Sequence, residues 1–277
     1  MQLPCPRYQI MWKYFKAVFK VGFRLLFAWL FEFIPMGNHP ERHSKEKRFK
    51  IVKRNINAII KCFKANLKIE NKEIFDEATS GDRKCLFVGN HTSFTDGLTI
   101  LTLFDTPATF VAKKEASKMF MVGSVTKMID AYLMDRSDLR QSLKVIRQVQ
   151  NDLRDKKHHV IIFPEGTRNK DVNAPMLPFH PGSFKGATGV KADIVLFASF
   201  GNHRILDKHS DDKRELVQYR FIRKITYEEY KDMDTVELSD MCHREIQKAV
   251  DELRAYDKEF YEKGLGKISL RKGEVRL

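Results

Sequence analysis

Cys85-Leu86-Phe87-Val88-Gly89 runs directly into Asn90-His91-Thr92-Ser93-Phe94-Thr95-Asp96, and His159-Val160-Ile161-Ile162 runs into Phe163-Pro164-Glu165-Gly166-Thr167-Arg168. Each apolar run is short and ends in turn residues, so it reads as a strand covered on both faces. From Lys84 onward such runs alternate with segments of helical period, the pattern of parallel strands joined by crossover helices. Strands are expected near 85–89, 108–112, 131–134, 159–163, 193–199 and 218–225. Helices are expected near 94–104, 117–129, 138–155, 183–190 and 234–262. The predicted fold is α/β, a mixed and largely parallel sheet flanked by helices. Polar clusters just beyond buried strands are where open α/β sheets hold ligands. The two segments after Gly89 and Ile162 therefore mark one candidate site.

The chain has 277 residues, 43% of them hydrophobic and 11% aromatic, enough for a sizeable core. Its formal charge of +14 is unevenly placed. Residues 1–70 hold fifteen Lys and Arg against four Glu, a net of +11 that leaves only +3 for the other 207 residues. Trp12, Phe15, Phe19, Phe23 and Trp29 are threaded through this basic stretch, with Lys13, Lys16, Lys20 and Arg24 at helical spacing. The four cations share one stripe opposite a broad apolar face, which describes a helix lying in a membrane interface. The aromatic face argues for an anionic membrane surface and against nucleic acid. The uncharged run within this helix, Leu25 to Phe31, is seven residues. A transmembrane helix needs about twenty, and the charges inside the apolar stretch do not suit a secretory signal.

Pro35-Met36-Gly37-Asn38-His39-Pro40 is a breaker cluster expected to end that helix. Phe49, Val52, Ile56, Ile59, Ile60, Phe63 and Leu67 then recur at three- and four-residue intervals, so residues 8–68 read as a helical hairpin. The expected organisation is an amphipathic, membrane-associating hairpin over 1–70, an α/β domain over 71–263 and a basic tail over 264–277. Cys5, Cys62, Cys85 and Cys242 form no CxxC pair and read as reduced thiols facing the cytosol. The histidines outside the motif form no ligand-spaced cluster, so no metal and no cofactor are expected.

Within the first segment, His91 and Asp96 are five residues apart, too far round a regular helix to share a face. With His91 in the turn and Asp96 in the first helical turn, the side chains can meet, and the carboxylate then orients the imidazole as a base. In the second segment, Pro164 and Gly166 require a sharp turn. Arg168 offers a planar fork for two phosphate oxygens and Thr167 a hydroxyl donor. Glu165 would repel phosphate, so it is expected to bind a hydroxyl or hold the arginine. A base beside an anion site suggests acyl or phosphoryl transfer involving a phosphorylated alcohol. Ser93 lacks a second His/Asp pair to activate it as a nucleophile.

The two motifs, in this order and separation, resemble those of the glycerophospholipid acyltransferase family, N-H-x-S-x-x-D followed by F-P-E-G-T-R. Phe110-Val111-Ala112-Lys113-Lys114-Glu115 with Asp135-Arg136 resembles that family's second block, and Phe184-Lys185-Gly186-Ala187 the helix start after its third. The resemblance covers roughly residues 84–200. It implies that His91 is the general base and Asp96 its orienting partner. It further implies that Glu165, Gly166, Thr167 and Arg168 hold a glycerol phosphate, with Lys113 and Arg136 as further phosphate ligands. The implied reaction is acyl transfer from acyl-CoA or acyl-carrier protein to the free hydroxyl of a lysophospholipid acceptor, 1-acyl-glycerol 3-phosphate, in phospholipid biosynthesis. Glycerol 3-phosphate or another lysophospholipid is the alternative acceptor, and a basic membrane-binding module with vestigial motifs the alternative outside enzymes. A monotopic enzyme on the cytoplasmic face of a membrane is expected. The family's fourth block carries a proline in a short apolar run, where this chain has Asp193-Ile194-Val195-Leu196-Phe197-Ala198. The acyl donor is therefore left open by the sequence.

Overall fold

The computed structural model describes residue 19, residues 22–205 and residues 215–264. Trp12, Lys13, Phe15, Lys16 and Lys20 lie outside the described residues, as do tail residues 265–277. Among the described residues, one sheet of seven strands has the order β1-β7-β6-β2-β5-β3-β4. The strands are β1 Asn66–Glu70, β2 Leu86–Gly89, β3 Ala108–Lys113, β4 Tyr132–Met134, β5 His159–Ile162, β6 Ile194–Phe200 and β7 Leu216–Ile225. β6, β2, β5, β3 and β4 are mutually parallel; β7 pairs antiparallel with β6 and carries β1 parallel to itself. All six expected strands are present to within a residue or two.

The buried runs lack polar alternation because both faces of the sheet are covered. Side chains on a strand point alternately to opposite faces, and the strands divide accordingly. Phe87, Ile161, Val195 and Phe197 enter one apolar layer with α1 (Lys45–Cys62), α2 (Lys72–Ser80), α3 (Thr95–Leu101) and α4 (Val122–Met128). Leu86, Val88, Val160, Ile162, Ile194 and Leu196 enter the other, with α5 (Leu139–Arg154), α6 (Lys185–Thr188) and α8 (Thr235–Glu262). The short α7 (Tyr227–Tyr230) precedes α8, which starts at a capping box of Asp234 and Glu237.

The expected boundary at residue 70 is corrected. Asn66–Glu70 is a strand of the sheet, pairing Leu67 with Val217, rather than the end of a helix. Only Leu67 in it is buried, because an edge strand need not present an apolar run. α1 is also integral to the domain, with Phe49, Val52, Ile56 and Ile60 buried in the same layer as Phe87.

Residues 22–28 are helical and continue through a π-helical turn, Trp29–Phe33, into Ile34–Asn38. Pro35 has no N–H to donate and its ring crowds the preceding turn, so a widened turn just before it lets the helix pass. The break falls at His39, which precedes Pro40 and leaves the helical region at φ −128°, ψ 59°. The chain then reverses into α1, and Arg54 donates to both Glu32 carboxylate oxygens at 2.6 Å. Ala28, Phe33 and Met36 face the domain, whereas Phe23, Leu26, Phe27, Leu30 and Phe31 stay exposed. The aromatic face is thus divided between packing and solvent. Among the described residues no helix is long and apolar enough to cross a membrane.

His159 opens β5 with its Nδ1 accepting the Cys85 amide at 3.2 Å. Burial, reinforced by the nearby Lys84 charge, lowers its pKa from 6.5 to about 3. A histidine held neutral in the fold contributes stability that is complete above its unfolded pKa and lost as pH falls toward the folded one. Urea midpoints should therefore decline as pH is lowered from 6.5 toward 3, and His159→Gln should flatten that decline even though it lowers the midpoint at neutral pH.

Candidate active site

The parallel strands β2, β5, β3 and β4 all end at one edge of the sheet, which brings distant segments together. His91 follows β2, the Phe163–Arg168 turn follows β5, Lys113 ends β3, and Arg136 lies two residues beyond β4. Lys113 pairs in register with Met134, so Lys113 and Arg136 emerge from adjacent strands.

His91 and Asp96 meet as the sequence requires. His91 sits in the turn and Asp96 in the first turn of α3, with His91 Nδ1 2.9 Å from Asp96 Oδ2. The same oxygen accepts the backbone amides of Thr92 and Ser93, each at 2.7 Å. Three donors on one buried carboxylate oxygen fix the loop and place the imidazole proton on Nδ1. The Nε2 lone pair is then left for a substrate, on a side chain that is 21% exposed. The ring is stacked on Phe163, with centroids 4.5 Å apart and planes 17° apart. Ser93 has a local role, its Oγ accepting the Thr95 amide at 3.2 Å at the start of the helix.

Glu165 departs from expectation. It makes no ion pair with Arg168 among the described residues. Its side chain is buried, with Oε1 accepting the His91 amide at 2.6 Å and Oε2 the Leu177 amide at 2.9 Å. Burial raises its pKa; the two backbone hydrogen bonds oppose this only in part. Glu165 thus clamps the histidine loop to the segment after the second motif, and the Asn169 amide donates to the His91 carbonyl at 2.8 Å in the opposite sense.

Gly166 has φ +73°, and a Cβ there would lie 2.5 Å from Arg136 Nη1 and 2.8 Å from His180 Cδ2. Glycine is required both by the backbone angle and by the guanidinium packed over it. Arg136 is thereby brought against the second motif. Thr167 and Arg168 are exposed beside it, and Lys113 is exposed at the end of β3. Arg136, Arg168 and Lys113 make no ion pair among the described residues, which leaves three cations available to an anionic ligand.

Supporting groups that sequence reasoning missed lie behind the histidine. Asn90 donates to the Ser199 carbonyl at 3.0 Å and accepts the Ser199 amide at 2.8 Å, pinning the end of β2 to β6. Thr95 Oγ1 donates to the Asn202 carbonyl at 2.7 Å, and Tyr219 donates to the Asp96 carbonyl at 3.2 Å. Nothing in the sequence links Asn90 to Ser199, or Tyr219 to a loop more than a hundred residues earlier. Gly89 admits the Phe197 ring, which would lie 2.3 Å from a Cβ at that position. Phe197 in turn meets Phe163 edge-on at 6.2 Å.

Residues 66–198 match the family model described as Acyltransferase. The 1-acyl-sn-glycerol-3-phosphate acyltransferase of Escherichia coli is 25% identical over 205 residues, 73% of this chain and 80% of that protein. A chloroplastic 1-acyl-sn-glycerol-3-phosphate acyltransferase of Brassica napus is 30% identical over 132 residues, 48% of this chain and 37% of its own length. The match to the yeast 1-acyl-sn-glycerol-3-phosphate acyltransferase likewise spans less than half of that relative, 46%. In fold, the chain is similar to the crystal structure of the 1-acyl-sn-glycerophosphate (LPA) acyltransferase PlsC from Thermotoga maritima. The TM-score is 0.62 at 21% identity, covering 90% of this chain and 98% of that one. The likeness to the family described as Acyltransferase thus lies in the α/β domain, over residues 66–198.

Replacing Glu165 by Ala would leave the His91 and Leu177 amides without their acceptor in a buried site. Each unsatisfied group costs about 1–3 kcal/mol, so urea denaturation should show a loss of at least about 2 kcal/mol. Glu165→Gln, which keeps one carbonyl acceptor, should lose less.

Proposed function

We propose that the chain transfers an acyl group from an acyl thioester, carried by CoA or acyl-carrier protein, to the free hydroxyl of 1-acyl-glycerol 3-phosphate, giving phosphatidic acid. The observation that carries this reading is the His91–Asp96 pair facing the same sheet edge as Arg136, Arg168 and Lys113, which make no ion pair among the described residues. A base and an anion site together suit an acceptor that has both a hydroxyl and a phosphate. The relatives named above point to the same acceptor.

In this mechanism His91 Nε2 takes the proton of the acceptor hydroxyl as the oxygen attacks the thioester carbonyl. The Nδ1–H bond to Asp96 holds the tautomer and stabilises the imidazolium that forms. The tetrahedral intermediate then collapses, the C–S bond breaks, and the departing sulfur receives the proton from Nε2. An ester and a free thiol result, and His91 returns to its starting state. Arg168, Arg136 and Lys113 are assigned to the acceptor phosphate, Arg168 as a two-pronged donor. Thr167 supplies a hydroxyl at the turn. Gly166 supplies the close approach that sets Arg136. The exposed aromatics of residues 22–33 are assigned to a membrane surface in which the acceptor's acyl chain resides, with the enzyme lying on the bilayer.

Thiol release from an acyl thioester, measured with detergent-dispersed lysophosphatidic acid, tests the reaction and should require the acceptor. His91→Ala should lower kcat by about 100- to 10,000-fold, the usual contribution of a positioned base, while circular dichroism stays unchanged. Arg168→Ala should raise the acceptor KM by about tenfold or more, as expected for loss of a charged hydrogen-bond pair. Near-normal turnover in the first variant removes His91 as the base, and an unchanged KM in the second removes Arg168 from the phosphate site.

A further inference from the structure

Beyond Lys113, residues 114–121 form a projection at the site edge that has no part in the phosphate site. Met119 is 50% and Phe120 67% exposed, although each is large and apolar. The projection is built rather than frayed. Its backbone is internally bonded, with the Met119 amide donating to the Ala116 carbonyl and the Gly123 amide to the Met119 carbonyl at 2.9 Å. A Cβ at Gly123 would lie 2.1 Å from the Ser117 carbonyl oxygen, so the turn closes too tightly for any other residue. Met121, immediately after Phe120, adopts φ +61°, a conformation that L residues hold only when their surroundings impose it. This backbone directs Phe120 outward.

The projection is continuous with the N-terminal helix. The Phe120 ring lies 4.7 Å from that of Trp29, and Trp29 Nε1 donates to Ser124 Oγ at 3.2 Å. Phe23, Phe27, Phe31, Met119 and Phe120 are thus exposed on elements locked to one another. Lys113, Lys114 and Lys118 lie in or next to this segment with one acid, Glu115, and all four are exposed; the only ion pair any of the three lysines makes among the described residues is that of Lys114 with Asp135, at 3.5 Å. Apolar tips collared by lysine suit an anionic lipid surface, where rings enter the acyl boundary and ammonium groups meet phosphate. A protein groove would bury those charges unless it supplied matching acids.

We propose that residues 114–121 are a second lipid-contacting element, with Met119 and Phe120 entering an anionic bilayer and Lys114 and Lys118 resting on its headgroups. This inference rests on the reading of the acceptor as a membrane lipid. The bilayer then reaches the ends of β3 and β4, so a lipid acceptor meets Lys113 and Arg136 without leaving it.

The test uses the full chain and the double variant M119S/F120S, with phosphatidylcholine vesicles made with and without phosphatidylserine. Partition to the mixed vesicles should fall by at least about tenfold, since two apolar side chains leave the interface. Transfer to vesicle-borne acceptor should fall in parallel, and transfer to a monomeric short-chain acceptor should not. K114Q/K118Q should lose the gain that phosphatidylserine confers. An unchanged urea midpoint shows that the fold is retained. Undiminished vesicle binding by M119S/F120S overturns the proposal, and so does a wild-type dimer that this variant dissociates, because the tip is then a contact between copies. Absence of transfer by the wild type to every acceptor would instead refute the enzymatic reading and leave the binding result to stand separately.

Discussion

The carboxylate of Glu165 ties the site together. A carboxylate taken out of water must find strong donors, and here it finds the His91 and Leu177 amides. Asp96 meets the same demand with the Thr92 and Ser93 amides as well as the imidazole. Both buried acids of the site are thus engaged with backbone or histidine, and neither neutralises a cation. Arg136, Arg168 and Lys113, at the same sheet edge, make no ion pair among the described residues. The acids shape the loops, and the bases are left to the ligand.

Much of this was legible in the sequence, for a physical reason. Strands buried on both faces write themselves as uninterrupted apolar runs, so β2, β5 and β6 were readable and fixed the sheet edge on which His91 and Glu165 fall. The requirement that His91 sit in a turn and Asp96 in the first helical turn came from helix geometry alone. Asn66–Glu70 was not readable, because an edge strand carries polar residues and directly follows a helix whose periodicity Leu67 happens to continue. The role of Glu165 was misread for a related reason. Local chemistry predicts that an acid beside an arginine pairs with it, but the competing partners were two amides, one of them more than seventy residues away. Arg136 and Gly166 came together only in the fold, since β4 reaches β5 through β3.

The departure at residues 193–198 also has a structural account. β6 is buried throughout and lies between β2 and β7, with hydrogen bonds on both sides. An N–H at each position continues both ladders, whereas a proline would interrupt one. The antiparallel pairing with β7 contains a register shift at Leu196 and Phe197, so the irregularity in this region is carried by a bulge. Phe197, just past the shift, is the ring that fills the space over Gly89 and backs Phe163 and His91.

The surroundings of His91 are strongly asymmetric. Toward β6 and β7 the space is filled by Asn90, Ser199, Asn202 and Tyr219, all fully buried and joined by hydrogen bonds. Toward β3 and β4 it is bordered by exposed Lys113 and Arg136. Opening the first side would break several buried polar contacts together, each costly to leave unmade. Opening the second breaks none. On the proposed reading a ligand approaches His91 from the β3 and β4 side, the side on which the Phe120 and Trp29 rings meet at 4.7 Å and the apolar residues of the N-terminal helix face outward. The polarity of the sheet sets the edge that His91 and the cations share, and the packing behind the histidine closes its β6 and β7 side.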